Sequence, residues 1–345
     1  MHMKHTYRFS IVMAIYNMKD YLEDAILSVI DQDIGFEKFV QLILINDGSS
    51  DKSSEICEKY KNLYPNNIIY LKQRNKGVSS ARNQGLKFVK GKYINFLDAD
   101  DKLEKDVLTK VYDFFEKVYN KVNIVSIPID FFEGKTGEHI LNYKYNLKTR
   151  IIDLSQEYTM IQLSASSSFF KSSLQEEIKF EENMKYAEDA YMINKILLKT
   201  NTLGVVSDCK YLYRFRKKLS SATQIGYIKK EWYLNYIKTF SLNLIKYSEN
   251  TNGEIPKFIQ YTIMYDLQWR INNIKKIKSV LSEKEIEEFF YAFIYNIKNI
   301  DFNIIYKQKN VKWHRKLVIL GIKINKLKLI ENMLIKILIK IWGDC

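Results

Sequence analysis

Proline is almost missing from this chain, with three in 345 residues, and glycine is sparse at twelve. Such a composition excludes a collagen-like or linker-rich protein. The three cysteines (Cys57, Cys209 and Cys345) are too scattered for a disulfide framework or a thiolate zinc site, which points to a reducing compartment. No run of 18 uncharged apolar residues occurs, so no membrane-spanning helix is expected. Met1–Arg8 leads into no signal-type apolar run, so no signal peptide is expected either. With 46% hydrophobic and 27% charged residues the chain is too apolar to be disordered. Its length suits two domains, or one large domain with an appendage.

Charge is unbalanced: 54 Lys and Arg against 40 Asp and Glu give +14. The balance suits an anionic partner, whether nucleic acid, a phosphorylated substrate or an anionic membrane face. Charge is the only feature that favours nucleic acid; no recognition motif accompanies it.

The first hundred residues alternate strand and helix. Phe9–Tyr16, Val40–Ile45, Ile68–Leu71 and Lys92–Leu97 are short apolar runs of the kind buried in a parallel sheet. Between them lie a helical pattern with Leu22, Ile26, Val29 and Ile30 on one face, a helix over Ser53–Tyr64, and another from about Ser79 to Val89. The pattern predicts an open α/β sheet with helices on both faces and ligands beyond the carboxyl ends of its strands. Polar residues stand there: Asn17, Asp47 and Asp98 each follow a strand. Further on, strands are expected at Val122–Ile129, Ser166–Phe170, Leu203–Val206 and Lys210–Arg216, a hairpin or loop over Phe131–Tyr145, and a helix over Glu188–Lys199. From about Lys229 the pattern is helical. A boundary near residue 225 divides an α/β domain, 1–225, from a mainly helical region, 226–345.

Four constellations carry chemistry. Asp98-Ala99-Asp100-Asp101 places three carboxylates in four positions. Their repulsion is relieved by a hard divalent cation, Mg2+ or Mn2+, which can also grip a diphosphate; alone, the same run also reads as a solvated helix N-terminus. Asp47, in Asn46-Asp47-Gly48-Ser49, reads as a turn cap or as a carboxylate accepting from a base imide or a ribose hydroxyl. In the run Asn75 to Gly85, Gly77 permits a turn and Arg82 lies one helical turn in, aimed at phosphate or at a surface partner. Glu188-Asp189 reads as a helix cap or as a general base.

Met13-Ala14-Ile15-Tyr16-Asn17, Asn46-Asp47-Gly48-Ser49, the Asn75 to Gly85 run, Asp98-Ala99-Asp100-Asp101 and Ala187-Glu188-Asp189 occur in the order and spacing of family 2 glycosyltransferases, which the chain resembles over residues 8 to 220. The resemblance implies a GT-A (Rossmann-like) fold, a mixed, mainly parallel sheet with a helical C-terminal region. It also implies an inverting, metal-assisted transferase that uses a nucleotide-sugar donor, UDP by default. Ala14, Tyr16 and Asn17 would line base and ribose, Asp47 the base edge, Asn75 and Arg82 the nucleotide, Asp98 the ribose, and Ala99 would lie with them at the donor. Asp100 would hold the metal, and Asp189 would take the acceptor proton. Tyr213-Arg214-Phe215-Arg216 with Ser220 resembles a later strand and loop whose basic and hydroxyl groups cover the diphosphate. Ala14 departs from the family, where Pro is frequent. Implied partners are a glycan, lipid-linked or protein-linked acceptor in bacterial surface polymer synthesis. The other readings are an inactive nucleotide-sugar-binding scaffold and a nucleotidyltransferase. The latter usually carries a Gly-rich phosphate loop near the first strand, and Ala14 to Met18 has no glycine.

The tail, 311–345, carries eight Lys/Arg and two acids, 8 − 2 = +6, with polar residues every four positions from Lys328 to Lys340. Such a basic amphipathic helix suits either an anionic membrane surface at the inner face of the cell membrane or packing on its own domain or a second subunit. Trp232, Tyr233 and Tyr236 read as core or as a stacking surface for acceptor sugars.

Overall fold

The computed structural model describes residues 5–216 and 226–324. Its strands and helices begin with β1 (Tyr7–Ile15), α1 (Leu22–Ile30), α2 (Phe36–Phe39), β2 (Val40–Asn46), α3 (Ser53–Leu63), β3 (Ile68–Lys72), α4 (Val78–Leu86) and β4 (Gly91–Phe96). Apart from the short α2, these match the alternation expected from the apolar runs to within a few residues. Every residue of β2 is buried, as a strand covered on both faces requires.

The chain continues with β5 (Lys102–Leu103), α5 (Val107–Val118), β6 (Ile124–Ser126), β7 (Ile129–Glu133), β8 (Gly137–Glu138), β9 (Arg150–Asp153), β10 (Ser168–Lys171), α6 (Glu188–Thr200), β11 (Thr202–Val205) and β12 (Tyr211–Phe215). The larger sheet runs β3-β2-β1-β4-β10-β6-β11-β9. Strands β3, β2, β1 and β4 are mutually parallel, and β10 lies antiparallel to β4 and β6. A smaller sheet, β5-β12-β7-β8, sets β12 parallel to β7. The order 3-2-1-4 reverses direction at β1, so the crevice at the carboxyl ends of β1 and β4 is the topological switch point where such sheets take ligands.

Several elements differ from the sequence reading, among them α2, β5 and β9, which the apolar pattern did not announce, and two more. The run Val122–Ile129 is not one strand: it breaks at Ile127-Pro128, so that β6 joins the larger sheet and β7 the smaller. Proline supplies no N–H for a ladder, and the change of sheet falls there. Helix α5, not anticipated, buries Val107, Leu108, Val111, Phe114 and Phe115 at helical spacing.

The chain divides into two compact units that interleave along the sequence. The first comprises 1–153, 162–182 and 199–217; the second comprises 154–161, 183–198 and 218–345. The second is helical: α7 (Lys230–Asn235), a π-turn (Tyr236–Ser241), α8 (Leu242–Asn252), α9 (Lys257–Asn272), α10 (Glu283–Lys298), α11 (Phe302–Lys307) and α12 (Trp313–Ile324). Tyr233 and Tyr236 are core, and the Arg270 guanidinium lies over the rings of Trp232 and Tyr236 at 4.3 and 3.7 Å, so this aromatic group serves packing. Of the basic tail, 325–345 lies outside the described residues. Among the described residues no helix is long and apolar enough to cross a membrane.

Strand β4 can approach β1 closely because it begins with a glycine. A Cβ at Gly91 would stand 2.4 Å from the Phe9 carbonyl carbon and 2.4 Å from the Ser10 nitrogen. Backbone cannot rotate aside as a side chain can. Gly91→Ala is therefore expected to lower the unfolding free energy by about 1–3 kcal/mol or more, measured by urea titration; an unchanged midpoint would refute the close approach.

Candidate active site

Asn17, Asp47 and Asp98 follow the carboxyl ends of β1, β2 and β4 in the first unit. Asn17 adopts φ 54°, which Asn tolerates better than most residues, and its Oδ1 accepts from the Ser50 N–H at 2.9 Å. Its own N–H donates to Ser49 Oγ at 3.0 Å, so the loops after β1 and β2 are tied together. Beside them Ala14 is half-buried, Tyr16 exposed and Asn75 exposed.

Asp47 is buried and organises the loop before α4. Its Oδ1 accepts from Gln73 Nε2 at 2.7 Å and from the Lys76 N–H at 2.9 Å; its Oδ2 accepts from the Gly77 N–H at 2.8 Å. An ionised carboxylate offers about four acceptor sites, so one remains on Oδ2. Gly48 has φ 78°, and a Cβ there would sit 2.9 Å from the Asn75 nitrogen, so the loop closes onto a glycine. Gln73 was not anticipated. It carries no motif, and only the strand pairing of β2 with β3 brings it to Asp47.

Arg82 is buried and donates to Asp98 Oδ1 at 2.9 Å, with its guanidinium 5.1 Å from the Phe180 ring. The arginine expected at the nucleotide is here the counter-charge of the first carboxylate of the acidic turn. Phe180, nearly a hundred residues on, had no sequence signal.

The three acids of the turn point to different partners. Asp100 Oδ2 accepts from Arg216 Nε at 2.8 Å and Nη2 at 2.5 Å. Burial, and then the charge of Asp98, raise the Asp100 pKa, which Arg216 opposes. Asp101 is fully buried and accepts from the Tyr211 hydroxyl at 2.6 Å and the Arg214 N–H at 2.7 Å. Burial and the two neighbouring carboxylates push its pKa well up. Ala99 is buried between Asp98 and Asp100.

The two arginines of β12 and its continuation separate. Arg214 donates to the Asp100 carbonyl at 2.7 Å, to Glu133 at 2.5 Å and to Asp24 at 2.8 Å, with Tyr21 and Phe132 against its plane. It is a buried strut. Arg216 instead faces the Asp100 carboxylate, with Met18 Sδ 3.2 Å from Nη2. Ser220 lies outside the described residues.

Asp189 stands in the first turn of α6, in the second unit, after Ala187 at φ 63°. The first unit therefore gathers Asn17, Asp47, Arg82, Asp98 and Asp100, while Asp189 is carried by the helical unit.

The acidic turn fits a divalent cation of one kind. Among the described residues no group of three His, Cys, Asp or Glu side chains could hold a metal by itself. Asp101 is committed to Tyr211 and Arg214, which leaves Asp98 and Asp100. A Mg2+ or Mn2+ ion held by one or two carboxylates, its remaining positions filled by substrate phosphate and water, matches that donor set.

Comparison with known proteins agrees with this architecture. Residues 10–178 match the model of "Glycosyl transferase family 2". The chain is 45% identical over 306 residues to the minor teichoic acid biosynthesis protein GgaB of Bacillus subtilis, covering 88% of this chain and 34% of that protein. It is 36% identical to GgaA of the same organism, over 94% of this chain and 74% of GgaA. The crystal structure of S. aureus TarS 1-349 in complex with UDP-GlcNAc superposes with a TM-score of 0.70 at 19% identity, over 92% of this chain and 87% of that one. The chain belongs to glycosyl transferase family 2, and its fold is that of the TarS structure. It spans about a third of GgaB and three quarters of GgaA.

Tyr211→Phe removes one of the two donors that meet the buried Asp101 carboxylate. The expected cost is about 1–3 kcal/mol of unfolding free energy, read by chemical denaturation. Wild-type stability would contradict the assignment of this bond.

Proposed function

We propose that the chain moves a sugar from a UDP-linked donor to a hydroxyl of an anionic, teichoic-acid-type surface polymer, with inversion at the anomeric carbon. The observation that carries this reading is the gathering of Asn17, Asp47, the Arg82–Asp98 pair and Asp100 beyond the carboxyl ends of β1, β2 and β4. GgaA, GgaB and TarS support the acceptor class and the donor nucleotide. The net charge of +14 suits a polyanionic acceptor.

In this reading the remaining acceptor site of Asp47 takes the imide N–H of the base, next to Asn75 and the Ala14–Asn17 stretch. Asp98 and Ala99 meet the ribose. Asp98 and Asp100 would hold the divalent cation, which when bound neutralises charge on the departing diphosphate. Arg216, freed from Asp100, supplies a further positive charge for the same phosphates. Asp189 accepts the proton of the attacking hydroxyl as it reaches the anomeric carbon from the side opposite the nucleotide.

The test is UDP release from a panel of UDP-sugars with a teichoic-acid acceptor, with Mn2+ or EDTA, and NMR of the product anomer. One UDP-sugar should be preferred and the product configuration inverted. Asp189→Asn should lower kcat by about 100-fold or more, with UDP affinity kept; Asp100→Ala should weaken Mn2+-dependent UDP binding. A retained anomeric configuration, or full activity in Asp189→Asn, would overturn the mechanism.

The same reading places the protein peripherally at the inner face of the membrane, where such polymers are built. Helix α12 exposes Trp313, Leu317 and Ile324 while burying Ile319 and Ile322, and carries Arg315, Lys316 and Lys323. Flotation with phosphatidylglycerol vesicles should fall in the Trp313→Glu/Leu317→Glu variant; equal flotation would remove this location from the proposal.

A further inference from the structure

The helical unit carries a device whose action falls on the segment just before Asp189. Asn183–Tyr186 has no regular secondary structure, yet its main chain is held by one side chain. Asn235, the last residue of α7, donates from Nδ2 to the Asn183 carbonyl at 3.3 Å and accepts at Oδ1 from the Lys185 N–H at 3.1 Å. A side-chain amide that both donates and accepts in this way imitates a strand neighbour and fixes the main chain in direction as well as position. Between the two bonded residues Met184 is buried.

The same face of α7 continues the grip. Glu231 lies four residues before Asn235, one helical turn away. It pairs with Lys185 Nζ at 3.3 Å, and its charge, after burial, helps raise the pKa of the Tyr186 phenol. Asn235 is itself fixed. The Thr239 hydroxyl donates to the Asn235 carbonyl at 2.6 Å, and the Tyr236 N–H reaches back five residues to the Glu231 carbonyl. The latter bond opens the π-turn Tyr236–Ser241, whose extra residue lets the helix keep Asn235 toward the segment while Tyr236, Ile237 and Phe240 enter the core.

The chain turns sharply immediately beyond the held segment. Ala187 adopts φ 63°, a left-handed conformation that strains a residue with a Cβ. Its carbonyl accepts the Tyr191 N–H at 2.9 Å, and α6 begins at Glu188. A left-handed alanine persists only where its surroundings over-determine it. Here the anchored residues stand before it and the helix after it.

We propose that Asn235 is a positioning residue for the base: by clamping residues 183–185 it sets the left-handed turn at Ala187 and thereby the direction of the Glu188–Asp189 turn. The proposal rests on the reading of Asp189 as base. Misplacement of a general base by about 1 Å can cost on the order of 100-fold in rate, whereas a residue that only adds stability leaves kcat unchanged at temperatures where the protein is folded.

The test uses the full chain with Asn235→Ala, Asn235→Asp and, as control, Lys238→Ala, which breaks an exposed pair with Glu288 of α10. Asn235→Asp keeps the acceptor for the Lys185 N–H and loses the donor to Asn183. Three quantities are read: amide hydrogen exchange over 183–189, the affinity for UDP by calorimetry, and kcat for UDP release across the UDP-sugar panel. The expected result for Asn235→Ala is exchange over 183–189 faster by about 10-fold and kcat lower by about 10- to 100-fold, with the affinity for UDP unchanged. Asn235→Asp should fall between, and Lys238→Ala should match the parent. Unchanged exchange in that segment, or an unchanged kcat beside faster exchange, overturns the proposal. If Asn235→Ala does not fold, Asn235→Asp decides by the same measures. Asp189→Asn separates the two claims. Full activity there removes the base reading, and an inactive Asp189→Asn beside a fully active Asn235→Ala removes this one alone.

Discussion

Three carboxylates in one turn cannot share a small volume unless each is given its own compensation, and the first unit is built around meeting that demand. Asp98 has Arg82, Asp100 has Arg216, and Asp101 has the Tyr211 hydroxyl with the Arg214 N–H. Those partners come from α4 and from the β12 strand with the residue after it, more than a hundred residues from the turn in the second case. The smaller sheet is thereby fastened to the end of the larger one. Low dielectric strengthens each bond and also raises the cost of losing it.

The compensation is uneven in its effect. Asp101 is the most deeply buried of the three and holds structure. Asp98 and Asp100 are paired with guanidinium groups, which can exchange a carboxylate for a phosphate because both present oxygen atoms suited to the same planar donor fork. Arg214 shows the contrast within one strand. Its donors are spent on Glu133, Asp24 and the Asp100 carbonyl, so the side chain fixes geometry, whereas Arg216 faces the carboxylate nearest the proposed phosphate position.

Much of the α/β architecture was legible because parallel strands covered on both faces must be continuous apolar runs, as Val40–Asn46 is. Helix α5 was equally periodic but comes directly after the acidic turn, where turn chemistry masked it. Strand β7 was hidden because its half-buried residues, IDFFE, do not alternate cleanly, and its partner β12 is some eighty residues away. The interleaving of units was not legible at all: residues 154–161 and 183–198 join the helical unit through contacts that composition does not announce.

Sequence alone determined which groups stand at strand ends, since an apolar run that stops at Asn17, Asp47 or Asp98 leaves the polar residue at the edge of the sheet whatever surrounds it. It also showed that three acids in four positions repel one another and call for compensation. Only the tertiary structure decided which groups supply it, that Gln73 and two loop N–H groups engage Asp47, and that Asn235 holds the chain ahead of Asp189. The reason is physical: strand periodicity is a local property of neighbouring residues, whereas a hydrogen bond between residues 47 and 73, or 185 and 235, exists only after the chain has folded back on itself.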